Sequence, residues 1–218
     1  MIKENVEKIL KDIPPNVTLV AATKTRSFQE LESLALSGVK DVGENYVKEA
    51  SEKKSLVTAK FSWHLIGHLQ KNKVRLAVSV FDMIETVDSF KIASLIDREA
   101  GRIGKTVAVL IEVNSGGERQ KNGVDPGEVK KLVDEISCLK NIEIRGLMTM
   151  GPNFAEPEDL RLIFRKTKEL YDTIKTSYPE LNFDHLSMGM SGSYRVAIEE
   201  GASIVRVGTA IFGERYRE

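Results

Sequence analysis

The sequence predicts one (β/α)8 barrel with an additional helix at its N-terminus. Three observations carry this. Short β-rich runs alternate with longer helical patterns eight times, which implies βαβ units and a parallel sheet. No long linker or break in composition divides the 218 residues, so eight units in one run close into a barrel within a single domain, residues 1–218. The first strand also ends in a lysine, where an open doubly wound sheet carries its Gly-rich phosphate loop.

The chain opens on Ile2, Val6, Ile9, Leu10 and Ile13 at helical spacing, a pattern that Pro14-Pro15 ends. The strands then begin near Val17 (VTLVAAT), Asp41 (DVGEN), Phe61 (FSWHLIG), Met83 (MIETVD), Thr106 (TVAVLIEVN), Ile142 (IEIRGLMTM), His185 (HLSMG) and Ile204 (IVRVG). FQELESLALSG, SFKIASLIDREAGR and EDLRLIFRKTKELYDTI supply helices between them. KEASEKK, Lys48 to Lys54, reads as a solvated helix face. Trp63 and the methionines Met148, Met150, Met188 and Met190 read, by residue type, as barrel packing.

Composition narrows the function classes. Lys plus Arg and Asp plus Glu each number 32, so the formal net charge is zero. That balance argues against a nucleic-acid partner, which needs a basic excess on some face. No apolar run approaches the roughly 20 residues that span a bilayer, and the charged N-terminus does not resemble a signal peptide. A single cysteine, Cys138, excludes an intrachain disulfide and points to a reducing, cytoplasmic setting. Its place near Val133, Ile136 and Leu139 predicts a buried structural thiol. Three histidines and one cysteine offer no metal spacing. His64 and His68 lie four apart, but on a strand running into a loop, where that spacing does not pair two ligands.

In this barrel class the site is built at the C-terminal strand ends, and those ends are polar here: Lys24, Glu44, Asn45, His64, His68, Asn114, Ser191, Arg206, Gly208 and Thr209. Alternation puts Val20, Ala22 and Lys24 on one face. A lysine at the mouth of a small-residue strand can be desolvated, which favours the neutral amine and Schiff-base chemistry; taken alone it reads better as an exposed lysine in a turn, and its neighbours change that. Phosphates bind at glycine turns opening helices, and in barrels after strands seven and eight. Both loops fit, MGMSGS with Ser191 and Gly192 and VGT with Gly208 and Thr209. Arg206 alternates with Ile204 and Gly208, so it faces that turn and needs a partner. The partner is either a barrel carboxylate such as Glu112, or a ligand ring nitrogen or phosphate.

VAATKTRS, DVGENYVKEA, WHLIGHLQKNK, QKNGV, GLMTM, LSMGMS and IVRVGTAIFGER, in that order, resemble the pyridoxal 5′-phosphate (PLP) homeostasis family, the YggS/PROSC-type PLP-binding proteins. The resemblance implies a barrel like the N-terminal domain of alanine racemase, a PLP fold of type III, with PLP held as a Schiff base on Lys24. It further implies that Ser191, Gly192, Gly208 and Thr209 hold the phosphate and that Arg206 faces the pyridine nitrogen. Asn45 and Met188 would lie beside the cofactor, and His64 and Gly67 would shape the pocket; His68 receives no role. One departure is evident. Family members commonly carry acidic residues after MGMS, whereas this chain has Gly192-Ser193-Tyr194-Arg195.

The expected function is therefore a PLP carrier in vitamin B6 homeostasis without appreciable turnover, with PLP-dependent apo-enzymes as recipients and the protein a monomer or weak homodimer. An arginine facing the ring nitrogen disfavours its protonation and weakens the cofactor as an electron sink. The chain also stops at GERYRE, where racemases of this barrel type continue into a β-domain. A minimal PLP racemase or decarboxylase is the alternative, and a Schiff-base aldolase acting on a phosphorylated sugar ranks behind it.

Overall fold

The eight β-rich runs form a closed, all-parallel barrel in the computed structural model, which describes residues 1–117, 122–151 and 156–214. Its strands are β1 (Thr18–Ala22), β2 (Asp41–Glu44), β3 (Ser62–Leu65), β4 (Met83–Val87), β5 (Val107–Val113), β6 (Ile142–Thr149), β7 (His185–Ser187) and β8 (Ile204–Val207). β1 closes the ring by pairing with both β2 and β8, with Val20 beside Asp41 on one side and Arg206 on the other. The helices are α1 (Ile2–Asp12), α2 (Phe28–Ala35), α3 (Val47–Leu56), α4 (Val74–Val80), α5 (Phe90–Arg102), α6 (Val129–Ile136), α7 (Pro157–Ser177), α8 (Tyr194–Glu199) and α9 (Thr209–Phe212). None of the described helices is long and apolar enough to cross a membrane. Gln120 and Lys121 of the QKNGV motif, and Arg215 to Glu218 of GERYRE, lie outside the described residues.

Period-two alternation sorts the strand residues into two cores. Outward side chains such as Leu19, Ala21, Val42, Trp63, Leu65, Val109, Leu147 and Val205 join the helices in one large apolar layer. Inside the barrel Val20, Met83, Leu110, Met148 and Ile204 form a small apolar cluster, with Ala108 and Met150 packed against it. The same inward phase in β3, β4, β5, β7 and β8 carries His64, Glu85, Glu112, Ser187 and Arg206, all buried. The barrel interior thus mixes the two kinds of side chain, with Arg206 in register beside Val20, His64 beside Met83 and Glu112 beside Met148.

Local sequence sets the helix ends. Ser27 caps α2 by accepting from the Glu30 backbone N–H while the Glu30 carboxylate accepts from the Ser27 N–H, two otherwise unpaired donors satisfied reciprocally. α1 turns Val6 and Ile9 inward and packs on α2 and α9, where the Asn5 amide donates to the Ile211 carbonyl at 2.9 Å.

Two expectations are corrected here. Cys138 is exposed, because α6 ends at Ile136 and its buried face is Val129, Leu132, Val133 and Ile136. The cysteine falls in the turn beyond, outside the helical register. In KEASEKK, Lys48 is solvated, but Lys53 is buried against Glu44 and Glu49.

Candidate functional site

At the C-terminal mouth of the barrel lies a cavity of about 270 Å³. Its wall is made by Ala22, Lys24, Asn45 and Ile66 on one side, and by Met150, Met190, Ser191, Gly192, Arg206, Gly208 and Thr209 on the other. Seven residues singled out from the sequence thus converge: Lys24, Asn45, Ser191, Gly192, Arg206, Gly208 and Thr209.

The loops after β7 and β8 are fastened to each other by Ser191. Its Oγ accepts from the backbone N–H of Gly208 at 3.1 Å and of Ala210 at 3.2 Å. A side chain at 208 would press on Ala22, its Cβ lying 3.2 Å from the carbonyl oxygen and 3.3 Å from the Cβ, so the close approach of this turn to β1 favours glycine. Gly192 faces open space. Tyr194 and Arg195, in the departure from the family pattern, both bond Asp12 at the end of α1, so neither reaches the cavity wall.

Arg206 lines the cavity and is buried among the charged and polar side chains of the barrel interior. Its guanidinium donates to Ser187 Oγ at 2.5 Å and to the Thr149 carbonyl at 2.9 Å. Its nearest carboxylate is Glu85, at 3.8 Å. The expected barrel partner, Glu112, is not within ion-pair distance, because β4 rather than β5 stands opposite β8 in the ring of eight strands. Ser187 links the two charges by donating to Glu85 Oε2 at 2.6 Å. Burial draws Arg206 below the ordinary guanidinium range, and Glu85 and Glu112 oppose that shift.

His64 stands behind this group. Its Nδ1 bonds Glu85 Oε1 at 2.7 Å and its Nε2 bonds Asp41 Oδ1 at 3.3 Å. Burial disfavours the imidazolium, but the hydrogen bonds to Asp41 and Glu85 outweigh it and hold His64 at about 9. Glu85 is pushed up by complete burial, yet His64, Arg206 and Ser187 together keep it below the usual carboxylate range. The buried set is therefore charged at neutral pH, with one carboxylate between two cations. Glu112 differs. Burial and Asp88 push it up to about 7 against the pull of Arg206, and its Oε2 has no hydrogen-bond partner among the described residues.

Three expected pocket residues lie off the wall. His64 lies inside the barrel, bonded to Glu85 and Asp41. Gly67 backs Asn45: a Cβ at 67 would come within 2.5 Å of the Asn45 carbonyl oxygen and 2.6 Å of its Cα, so glycine lets the loop after β3 cross there. Met188 is fully buried in the layer between strands and helices, because Ser187 points inward and the next residue must point out. Met190, beyond the positive-φ Gly189, reaches the cavity instead. Met150 lines it too, so two of the four methionines read as packing belong to the wall. Ala22 lines the cavity as its alternation with Lys24 implied, and Ile66 and Glu85 are the participants that the sequence did not single out. Glu85 left a signal, a carboxylate within the otherwise buried run MIETV. His68 is half-exposed and lies 3.8 Å from Asp88. Among the described residues no group of three or more His, Cys, Asp or Glu side chains could hold a metal.

Comparison with known proteins bears on this arrangement. The family "Alanine racemase, N-terminal domain" matches residues 1–216. A pyridoxal phosphate homeostasis protein of Aquifex aeolicus is 42% identical over 198 residues, which are 90% of this chain and 86% of the relative. One from Vibrio alginolyticus is 38% identical over 229 residues, covering 98% and 97%. The chain belongs to the pyridoxal phosphate homeostasis proteins, within the alanine racemase N-terminal-domain family. The structure of PipY from Synechococcus elongatus, solved with PLP bound, matches at a TM-score of 0.92 and 32% identity, covering 98% of this chain and 100% of that one. In this chain that barrel sets Lys24 across one small cavity from the Ser191 and Gly208 turns.

Proposed function

We propose that this chain binds PLP in the cavity at the barrel mouth, as a Schiff base on Lys24, and serves PLP homeostasis without turning over an amino acid. The observation that carries the reading is one small cavity with a lysine on one wall, a Ser191–Gly208 turn on the other and a guanidinium between them. At about 270 Å³ it lies just below the roughly 300–1,000 Å³ of most small-ligand sites, a size suited to one compact aromatic phosphate.

The residues present fit the group. Asn45 Oδ1 is buried without a partner among the described residues, an acceptor facing a ligand that carries a hydroxyl. Ser191, Gly192, Gly208 and Thr209 offer hydroxyls and accessible backbone N–H groups for a phosphate. Arg206 is a donor with no lone pair, so beside a pyridine nitrogen it leaves that nitrogen unprotonated. PLP would supply an aldehyde, which the Lys24 amine would hold as an imine, with the carbonyl oxygen released as water. The chain's own residues orient the ring, hold its phosphate and keep its nitrogen neutral.

The carrier reading is favoured over turnover by that neutral nitrogen and by the wall. Among the described residues the lining includes no carboxylate, histidine, tyrosine or cysteine to act as a second base opposite Lys24. Residues 1–218 act in this reading as one PLP-binding unit in the cytoplasm, a monomer or weak homodimer, with PLP-dependent apo-enzymes as recipients. The test is a PLP titration followed by absorption, for wild type and Lys24→Ala. Saturable growth of a visible band in wild type and its absence in the variant support the reading; turnover of single amino-acid enantiomers that requires Lys24 overturns the carrier role.

A further inference from the structure

The backbone that presents Lys24 is gripped from outside the barrel. Thr23 follows the outward phase of Ala21 and meets α3, while Lys24 turns in to the cavity. On the outer side Lys53 is buried and donates to the Thr23 carbonyl at 2.6 Å. Its ammonium also pairs with Glu44 at 2.7 Å and Glu49 at 2.6 Å. Thr23 Oγ1 donates to Glu44 Oε1 at 2.7 Å, and the Thr25 N–H donates to Glu49 Oε1 at 2.5 Å.

The Thr23 carbonyl belongs to the peptide unit before the Lys24 Cα, and the Thr25 N–H to the unit after it. With both planes tied, φ and ψ of Lys24 are fixed and so is the direction of its Cα–Cβ bond. Thr25 needs that restraint. Its φ of 62° makes it the one non-glycine residue with positive φ among those described, and the left-handed region is a steric outlier for a β-branched side chain. Such a conformation persists only where its surroundings over-determine it. Glu44, Glu49 and Lys53 provide that, and none of the three lines the cavity.

We propose that Glu49 and Lys53 are positioning residues for cofactor capture, a clamp that fixes both peptide units around Lys24 and so presents its amine pre-oriented to the cavity. This rests on the reading of Lys24 as the PLP attachment point. Orientation paid in advance speeds a bond-forming step, so loosening the clamp slows attachment and hastens release.

The main variant is Glu49→Ala, at a quarter-exposed side chain, with Glu49→Gln as the variant that keeps an acceptor. The measurements are amide hydrogen exchange at Thr25 in the PLP-free protein, the rate at which added PLP becomes fixable to Lys24 by borohydride, and the melting temperature. Glu49→Ala is expected to speed Thr25 exchange at least tenfold and slow attachment at least tenfold, at a melting temperature close to wild type. Glu49→Gln is expected to recover attachment to within about threefold. If Glu49→Ala does not fold, Lys53→Met carries the same test through exchange at Lys24 and the attachment rate. Unchanged exchange, or faster exchange with wild-type attachment, overturns the clamp. Failure of wild type itself to attach PLP at Lys24 overturns the parent reading and the clamp with it; Thr25 exchange in the PLP-free protein tells the two failures apart.

Discussion

Removing Glu85 should be among the most damaging single changes in the barrel, and for a specific reason. Its carboxylate is fully buried, bonded by His64 at 2.7 Å and Ser187 at 2.6 Å, and 3.8 Å from Arg206. Glu85→Ala leaves two buried cations facing each other across the space it vacates. Taking one partner from a buried ion pair typically costs about 3–5 kcal/mol. For a chain of this size each kcal/mol moves Tm by roughly 2–4 °C, so a fall on the order of 6–20 °C is expected. Urea unfolding followed by the fluorescence of Trp63, the single tryptophan and itself buried, measures it directly. A second signature separates electrostatics from packing. His64 loses a partner that holds its pKa at about 9, so its titration, read by NMR, must move down in the variant. Replacing His64 by Leu as well should restore part of the loss, because one of the two facing cations is then gone, although His64 keeps Asp41 in the single variant. A loss below about 1 kcal/mol, or strictly additive effects of the two substitutions, would refute the role given to the buried charges.

Three further outcomes follow from the same geometry. His64 titrates at about 9 folded against 6.5 unfolded, so its contribution is complete below pH 6.5 and is lost as pH rises through 9, by up to about 3 kcal/mol; urea midpoints at pH 6 and pH 9.5 check the sign. Glu112 is pushed up to about 7 from 4.5, so Glu112→Gln should stabilise by about 1–3 kcal/mol at pH 8 and by almost nothing at pH 4, where the carboxyl is largely neutral in both the folded and the unfolded chain; equal effects at both pH values would contradict its burial as a charge. Gly67→Ala forces a Cβ to within 2.5 Å of the Asn45 backbone and should weaken PLP binding at least tenfold while lowering stability by roughly 1–3 kcal/mol, the usual range for overpacking; wild-type affinity in a PLP titration would argue that Asn45 does not face the ligand.

Much of this was legible in the sequence because barrel strands, covered on both sides, read as short apolar runs between amphipathic helices. Lys24 and Arg206 were legible as inward residues because β1 and β8 alternate cleanly through Val20, Ala22 and Ile204. The phase failed where a strand is too short to establish it. β7 has three residues and Gly189 follows with positive φ, so Met188 packs in the outer layer and Met190 reaches the cavity, although a spacing of two would put both on one face. Lys53 was hidden for another reason: KEASEKK is charged on every side, and no apolar phase marks which lysine turns inward. The partner of Arg206 depends on which strand stands across the barrel. The sequence pointed to Glu112 on β5 and left Glu85 on β4 unnoticed, because linear order does not show which strand faces β8.

The most direct test of the central claim is covalent trapping. Wild-type protein incubated with PLP is reduced with borohydride, digested and weighed by mass spectrometry, with Lys24→Ala alongside. The account predicts a phosphopyridoxyl group on the peptide containing Lys24, close to one per chain, and none at stoichiometric level in the variant. Modification spread over surface lysines, or the same yield in Lys24→Ala, would contradict it.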